Sequence, residues 1–248
     1  TSAILDGDHY VVNGTKRYIT NGRRADVLTL MARTDPGNKG AAGISAFIVD
    51  ARAPGITYGP KDKKMGQRGT VTSDVIFENV RVPASRIIGG KPGLGFKTAM
   101  KVLDRGRIHI AAVCVGTARR LLDEAQRYAN EREQFDKKIG EFDAIRTMLA
   151  DSGVELETSR LLVYQAAWLR DMGRPNTKEA SIAKWHASEA ATKCANLAIQ
   201  VHGGYGYMSE YHVERYWRDA RICEIYEGTT EVQKMVVAGQ VLKENSIA

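Results

Sequence analysis

Glu227 lies between Tyr226 and Gly228 in the run Ile222-Cys223-Glu224-Ile225-Tyr226-Glu227-Gly228-Thr229-Thr230-Glu231-Val232-Gln233. Beside an aromatic ring and two isoleucines a carboxylate loses hydration and becomes a stronger proton acceptor, which suits a general base. Gly228 leaves the backbone open to close approach by a ligand. Thr229 or Thr230 can cap the helix that Val232, Met235, Val236 and Val237 predict. The first N–H groups of that helix favour a phosphate or another anion. The same residues also read as a loop glutamate ahead of an ordinary helix, so this segment alone does not decide.

Other stretches carry chemistry-bearing residues of a related kind. Gln200-Val201-His202-Gly203-Gly204-Tyr205-Gly206-Tyr207 places three glycines and two tyrosines at a helix end, which lets backbone approach a flat or phosphorylated ligand. A glycine cap explains one of those glycines, and His202 alone reads as a satisfied core or loop histidine. In Leu103-Asp104-Arg105-Gly106-Arg107 the Asp104 and Arg107 side chains share a helix face. Gly106 weakens that helix, which predicts that something packs against it. Arg132-Glu133-Gln134-Phe135 offers a guanidinium, an amide and a ring at a helix joint. Tyr18-Ile19-Thr20-Asn21-Gly22 reads either as a strand running into a turn or as hydroxyl and backbone groups set under a planar ring.

The elements that must position these residues fall into two halves. The chain has 248 residues and a formal charge of +7, enough for one large domain or two small ones and favourable to anionic partners. Its three cysteines, Cys114, Cys194 and Cys223, form no CxxC pair, fit reduced buried thiols in a cytosol-like compartment, and leave no metal-ligand spacing. No apolar run reaches membrane-span length and no signal peptide opens the chain. Residues 1–90 read as an antiparallel β-domain. Ile4 to Val12 make two strands around an Asp-Gly turn, and Asn13-Gly14 makes a second turn. Strands follow at Val27 to Ala32, Ile44 to Val49 and Val71 to Phe77. Gly89-Gly90-Lys91-Pro92-Gly93 marks the boundary. Residues 91–248 read as a helical bundle. Long helices run from Leu94 to Ala129, from Phe142 to Met172, and from an Asn176 or Thr177 cap to Ile199. A short helix covers Tyr211 to Trp217 and a last one Thr230 to Leu242. Residues 131–141 form a loop.

Taken together these stretches resemble the acyl-CoA dehydrogenase family. The motifs carrying the resemblance are Tyr18-Ile19-Thr20-Asn21-Gly22, Met65-Gly66 with Phe77-Glu78-Asn79-Val80-Arg81-Val82-Pro83, Leu103-Asp104-Arg105-Gly106-Arg107-Ile108, Arg132-Glu133-Gln134-Phe135, Gln200-Val201-His202-Gly203-Gly204 and Ile225-Tyr226-Glu227-Gly228-Thr229. They occur in family order and span nearly the whole chain. The resemblance implies an α+β fold: a middle β-domain, here N-terminally incomplete, followed by a C-terminal four-helix bundle. It implies FAD as cofactor and oxidation of an acyl-CoA thioester to the trans-2-enoyl-CoA. Electrons would pass to an electron-transfer flavoprotein, and the assembly would be a homotetramer built as a dimer of dimers. Glu227 matches the catalytic base. Asp104, Arg107, Tyr226 and Gly228 match substrate-binding positions. Tyr18, Ile19, Thr20, Arg132, Gln134, Phe135, Gln200, Val201, His202, Gly203, Gly204, Thr229 and Glu231 match FAD contacts.

Some members carry their base at the position of Gly106. Glycine there with glutamate at 227 points to the short-chain, medium-chain and some branched-chain arrangements, and Glu210 to Arg215 leans toward a butyryl-CoA-like member. Asp136 stands where glycine is usual and Asp143 where glutamine is common, and a carboxylate there would repel a pyrophosphate. The family's N-terminal helical domain and early flavin-touching β-segment have no counterpart, so the chain resembles the C-terminal two-thirds of a subunit. The rival readings are an acyl-CoA oxidase, an inactive fragment, and a nucleic-acid-associated relative of the same fold. The last is disfavoured because no basic stripe is interleaved with aromatics. The expected location is the cytoplasm, or the mitochondrial matrix in a eukaryote.

Overall fold

The computed structural model describes residues 1–244, and the chain divides into two compact units, Thr1–Val102 and Leu103–Ala248. The first is built on six strands: β1 (Ser2–Asp6), β2 (His9–Thr20), β3 (Val27–Arg33), β4 (Ile44–Asp50), β5 (Ile56–Tyr58) and β6 (Thr72–Pro83). They form one sheet in the order β4-β3-β1-β2-β6-β5. Every ladder is antiparallel except the single parallel link Ser2↔Arg33 between β1 and β3, so the sheet is mixed. Alternation puts Ala3, Tyr10, Val12, Leu30, Phe47, Val75, Phe77, Val80 and Val82 in one buried cluster. The Asp-Gly turn is present, with Asp6 opposite His9 and Gly7 at φ 62°.

Asn13-Gly14 is not a turn. Both residues lie inside β2, where the register to β6 shifts between Val12 and Gly14. The extra residue is on β6, and Asn79 takes φ 52° there. The Asn13 side chain stitches the irregularity: its Oδ1 accepts the Asn79 N–H at 2.8 Å and its Nδ2 donates to Asn79 Oδ1 at 3.1 Å. Pairing with a strand more than sixty residues away overrides the local turn preference. A second shift, between Lys16 and Ile19, puts the extra residue on β2, with Tyr18 at φ 58°.

Helix α1 (Gly95–Glu131) leads into the second unit, which also holds α2 (Asp143–Asp171), α3 (Thr177–His202), the short α4 (Val213–Ala220) and α5 (Thr230–Glu244). Leu121, Leu122, Ala125 and Tyr128 of α1 pack with Leu156 of α2 and Cys194, Ala195, Ala198 and Val201 of α3. The buried face of α3 is almost wholly Ala, Ser and Cys, which lets its neighbours approach closely. Lys184 is the one long cationic side chain on that face.

Two local expectations change. Residues 131–141 are not featureless: β7 (Glu133–Gln134) and β8 (Lys137–Lys138) make a tight hairpin with Phe135 and Asp136 at φ 54° and 61°. Two successive left-handed residues are what a two-residue hairpin turn requires, and aspartate tolerates that conformation better than most side chains. Asn176 stands at the N-cap position of α3 but makes no side-chain cap bond. Its Nδ2 instead donates to the Ala166 carbonyl at 3.1 Å, tying α3 to α2. Among the described residues no helix is long and apolar enough to cross a membrane.

Candidate active site

Glu227 sits on the loop between the 3-10 turn Arg221–Glu224 and α5. The backbone there is held in two successive left-handed conformations, φ 55° at Glu227 and φ 90° at Gly228. For a glutamate this costs on the order of 1–3 kcal/mol, which the surroundings must offset. The side chain reaches back to α1. A Cβ placed on Gly106 would lie 2.7 Å from Glu227 Oε2 and 3.3 Å from its Cδ. The glycine that weakens α1 therefore has its reason: it makes room for this carboxylate. The carboxylate is half-buried. Among the described residues it has no hydrogen-bond or ion-pair partner. Both carboxylate oxygens are therefore left available to a substrate, as a general base needs.

One turn of α1 on either side of Gly106 carries the residues expected to face substrate. Arg107 is 5% exposed and donates from Nη1 to Asp104 Oδ1 at 2.8 Å. Asp104 Oδ2 accepts the Thr177 hydroxyl at 2.9 Å. The pair is thus an anchored, largely buried link from α1 to α3, not a surface ion pair, and Arg107 Nε is left without a partner. Tyr226 packs against the cluster of Ile108, Ala111, Cys114 and Cys223, its hydroxyl 3.4 Å from Cys223 Sγ. Cys114, Cys194 and Cys223 are all free and buried.

Thr229 caps α5: its hydroxyl faces the Val232 N–H at 3.3 Å and its carbonyl accepts from Gln233 N. The anion at that helix start is supplied by the chain itself. Glu231's carboxyl is held below its usual range by backbone N–H and the Thr229 hydroxyl. Thr229 and Glu231 are therefore local partners.

Seven of the residues matched to FAD contacts line a single cavity of about 740 Å³ in the second unit: Arg132, Gln134, Phe135, Val201, His202, Gly203 and Gly204. Gln200 does not line it. It belongs to the last turn of α3, which extends to His202, and its side chain is exposed. Gly203, at φ 58°, ends that helix. Among the described residues, no atom beyond the adjoining chain comes within 4 Å of a Cβ built on Gly203 or Gly204, so the backbone there stays open to an incoming group. Gly206 differs, since its Cβ would fall 2.5 Å from the Ile199 carbonyl, and packing alone demands that glycine. Phe135 is 85% exposed at the cavity edge and Arg132 lies over the Tyr205 ring at 5.7 Å. A guanidinium, an amide and bare backbone along an otherwise apolar, aromatic-walled hollow fit a dinucleotide. In the first unit Ile19 and Thr20 line a separate hollow of about 390 Å³, beside the bulge that leaves Tyr18 70% exposed.

His202 is structural. It is 3% exposed, stacks on Tyr128 with ring centroids 4.3 Å apart, and has Nδ1 2.8 Å from the Ala198 carbonyl. Burial holds its pKa below the ordinary 6.5. The unfolded chain takes up a proton as pH falls through about 6.5, and the folded imidazole resists, so this group makes stability fall with pH below that value and does nothing above it. Urea unfolding at pH 5.5 and 7.5 is expected to show a smaller acid loss in His202→Phe than in the parent chain.

Sequence reasoning missed Lys184 and Gln233, both fully buried. Their nitrogens meet at the Gly228 carbonyl, Lys184 Nζ at 2.8 Å and Gln233 Nε2 at 3.0 Å. The signal available was the spacing of Ala180, Ala183, Ala187, Ala191 and Ala195, which puts Lys184 on the inward stripe of α3.

The acyl-CoA dehydrogenase middle-domain family matches residues 1–80 and the C-terminal-domain family residues 93–242. Subunit CarC of the caffeyl-CoA reductase–Etf complex of Acetobacterium woodii is 48% identical over 98% of this chain. The short-chain specific acyl-CoA dehydrogenase of Clostridium acetobutylicum is 46% identical over the same share. The chain spans 64% of the length of these curated relatives. The structure of butyryl-CoA dehydrogenase from Megasphaera elsdenii superposes with a TM-score of 0.94 at 45% identity, covering 98% of this chain and 63% of that one. With both families matched in order along the sequence, the chain belongs to the acyl-CoA dehydrogenase family.

Proposed function

We propose that the protein to which this chain belongs dehydrogenates a short acyl-CoA thioester between its α and β carbons, with Glu227 as the base. The observation that carries this reading is the Glu227 carboxylate lying on Gly106 of α1, unpaired among the described residues. A thioester's α-proton is only weakly acidic, so the chain must offer both a proton acceptor and a means of stabilising the enolate. The Glu227 carboxylate takes the α-proton. The backbone N–H of the same residue is assigned to the thioester oxygen, where it favours the charge that develops. Asp104 and Arg107, fixed by Thr177, would orient the substrate from α1.

FAD, when bound, would supply the two-electron oxidising power that removal of the β-hydrogen as hydride requires. Tyr18, Ile19 and Thr20 would lie against its ring, while Arg132, Gln134, Phe135 and the open backbone of Gly203 and Gly204 would hold the dinucleotide portion of a neighbouring subunit's FAD. As electron acceptor we assign an electron-transfer flavoprotein, in line with the Etf complex named for the Acetobacterium relative. We place the site in a homotetramer, where the exposed Phe135 meets a second copy.

Two relatives favour a second reading, in which the same residues work in reverse. They are a 3-(aryl)acrylate reductase from Clostridium sporogenes and an acryloyl-CoA reductase (NADH) from Anaerotignum propionicum, 46% and 47% identical. Protonated Glu227 would then return a proton to the α-carbon. The test is anaerobic addition of butyryl-CoA to the full-length, flavin-loaded subunit. Prompt loss of visible flavin absorbance is expected, restored by crotonyl-CoA in excess. An unchanged spectrum sinks the proposal, and oxygen uptake without added acceptor marks an oxidase instead.

A further inference from the structure

A lysine with no exposed surface is costly, because its ammonium group gives up water. Lys184 bears that cost on the small-residue face of α3, and burial pushes its pKa down. Its hydrogen-bond acceptor is the main-chain carbonyl of Gly228, at 2.8 Å. The same oxygen accepts Gln233 Nε2 from α5 at 3.0 Å, and that amide also reaches the Glu227 carbonyl at 3.4 Å. Two donors from two helices thus use both lone pairs of one carbonyl. That carbonyl sits immediately after the glutamate whose left-handed backbone aims its carboxylate at Gly106.

We infer that Lys184 is a positioning residue for the dehydrogenation: with Gln233 it clamps the Gly228 carbonyl and so holds the Glu227 carboxylate in its place over α1. This rests on the assignment of Glu227 as base. Lys184 is assigned no contact with substrate or cofactor, its described partner being the Gly228 carbonyl. A stable loop would not need it, since an apolar side chain of the same length would fill the space among Ala180, Ala183 and Ala187 without a desolvation cost. The geometry explains what that cost secures: a strained two-residue turn is kept from relaxing by a charge-assisted hydrogen bond, which is stronger than a neutral one.

The test uses Lys184→Met in the full-length flavoprotein with butyryl-CoA. The expected kcat is lower by about tenfold while KM stays within about twofold. Flavin content should be unchanged, and the melting temperature equal or higher. The isotope effect with substrate deuterated at the α-carbon should rise, since proton removal becomes more rate-limiting. A crystal structure of the variant reads the clamp without activity, with the carboxylate expected to move off Gly106. Normal kcat in folded, yellow Lys184→Met overturns the inference, as does a loss of kcat, flavin and melting temperature together with the carboxylate still in place. Should Lys184→Met not accumulate, Gln233→Met removes the companion donor and decides by the same split. If Glu227→Gln turns over normally, the base assignment fails on its own, and the crystal structure still decides the clamp.

Discussion

Glu227→Gln in the full-length flavoprotein is expected to lose about 10³-fold in kcat, roughly 4 kcal/mol of transition-state stabilisation. The substitution keeps the side chain's size and one carbonyl oxygen and removes the group able to accept a proton at carbon. Folding should scarcely notice, because among the described residues the carboxylate is paired with nothing. It occupies the space that a side chain at position 106 would fill. Flavin content and melting temperature should therefore match the parent, and an unreactive acyl-CoA thioether should still bind. That combination separates a chemical role from a structural one. Substituting a residue that held the loop in place would disturb binding or stability as well as rate. Retention of parent turnover would remove Glu227 from the mechanism.

How much of this was legible beforehand depended on whether the signal was local. Hydrophobic spacing found the long helices because each buries one continuous stripe. Gly106 was readable as an anomaly, a helix-breaking residue in the middle of α1, and the structure supplies what packs against it. The glycines of Gly203-Gly204 were readable as open backbone for the same reason. Asn13-Gly14 misled because its turn chemistry is real but weaker than pairing with β6, a distant strand that a local window does not contain. The left-handed backbone at Tyr18 and Phe135 had no sequence mark, since neither is a residue that favours it. One follows from a register shift and the other from a two-residue hairpin, and both are properties of pairings. Lys184 was hidden for another reason. A lysine is read as solvent-facing by default, so its place in the inward alanine spacing of α3 carried no weight. Only the carbonyl it meets gives the burial a purpose.

Gly228→Ala is expected to cost about 10²-fold in kcat with most of the fold intact. Two effects combine at this residue. Alanine at φ 90° is strained by about 1–3 kcal/mol in any surroundings. Its Cβ would also fall 2.5 Å from Gln233 Nε2. An amide at the end of a side chain could ordinarily swing aside, but Gln233 has no exposed surface and donates to both the Glu227 and Gly228 carbonyls. Moving it breaks the clamp, and leaving it moves the backbone. Either way the Glu227 carboxylate shifts by about an ångström, a displacement that alone is worth about 10²-fold in a positioned reaction. The strain is confined to one loop, so the melting temperature should drop by only a few degrees, and flavin content should match the parent, since neither Glu227 nor Gly228 lines the cavity bearing Arg132 and Gly203. The check is a kcat measurement on yellow, flavin-replete Gly228→Ala beside its thermal melt. Parent-like turnover would mean that the geometry around Glu227 tolerates far more movement than proton transfer to a fixed base allows.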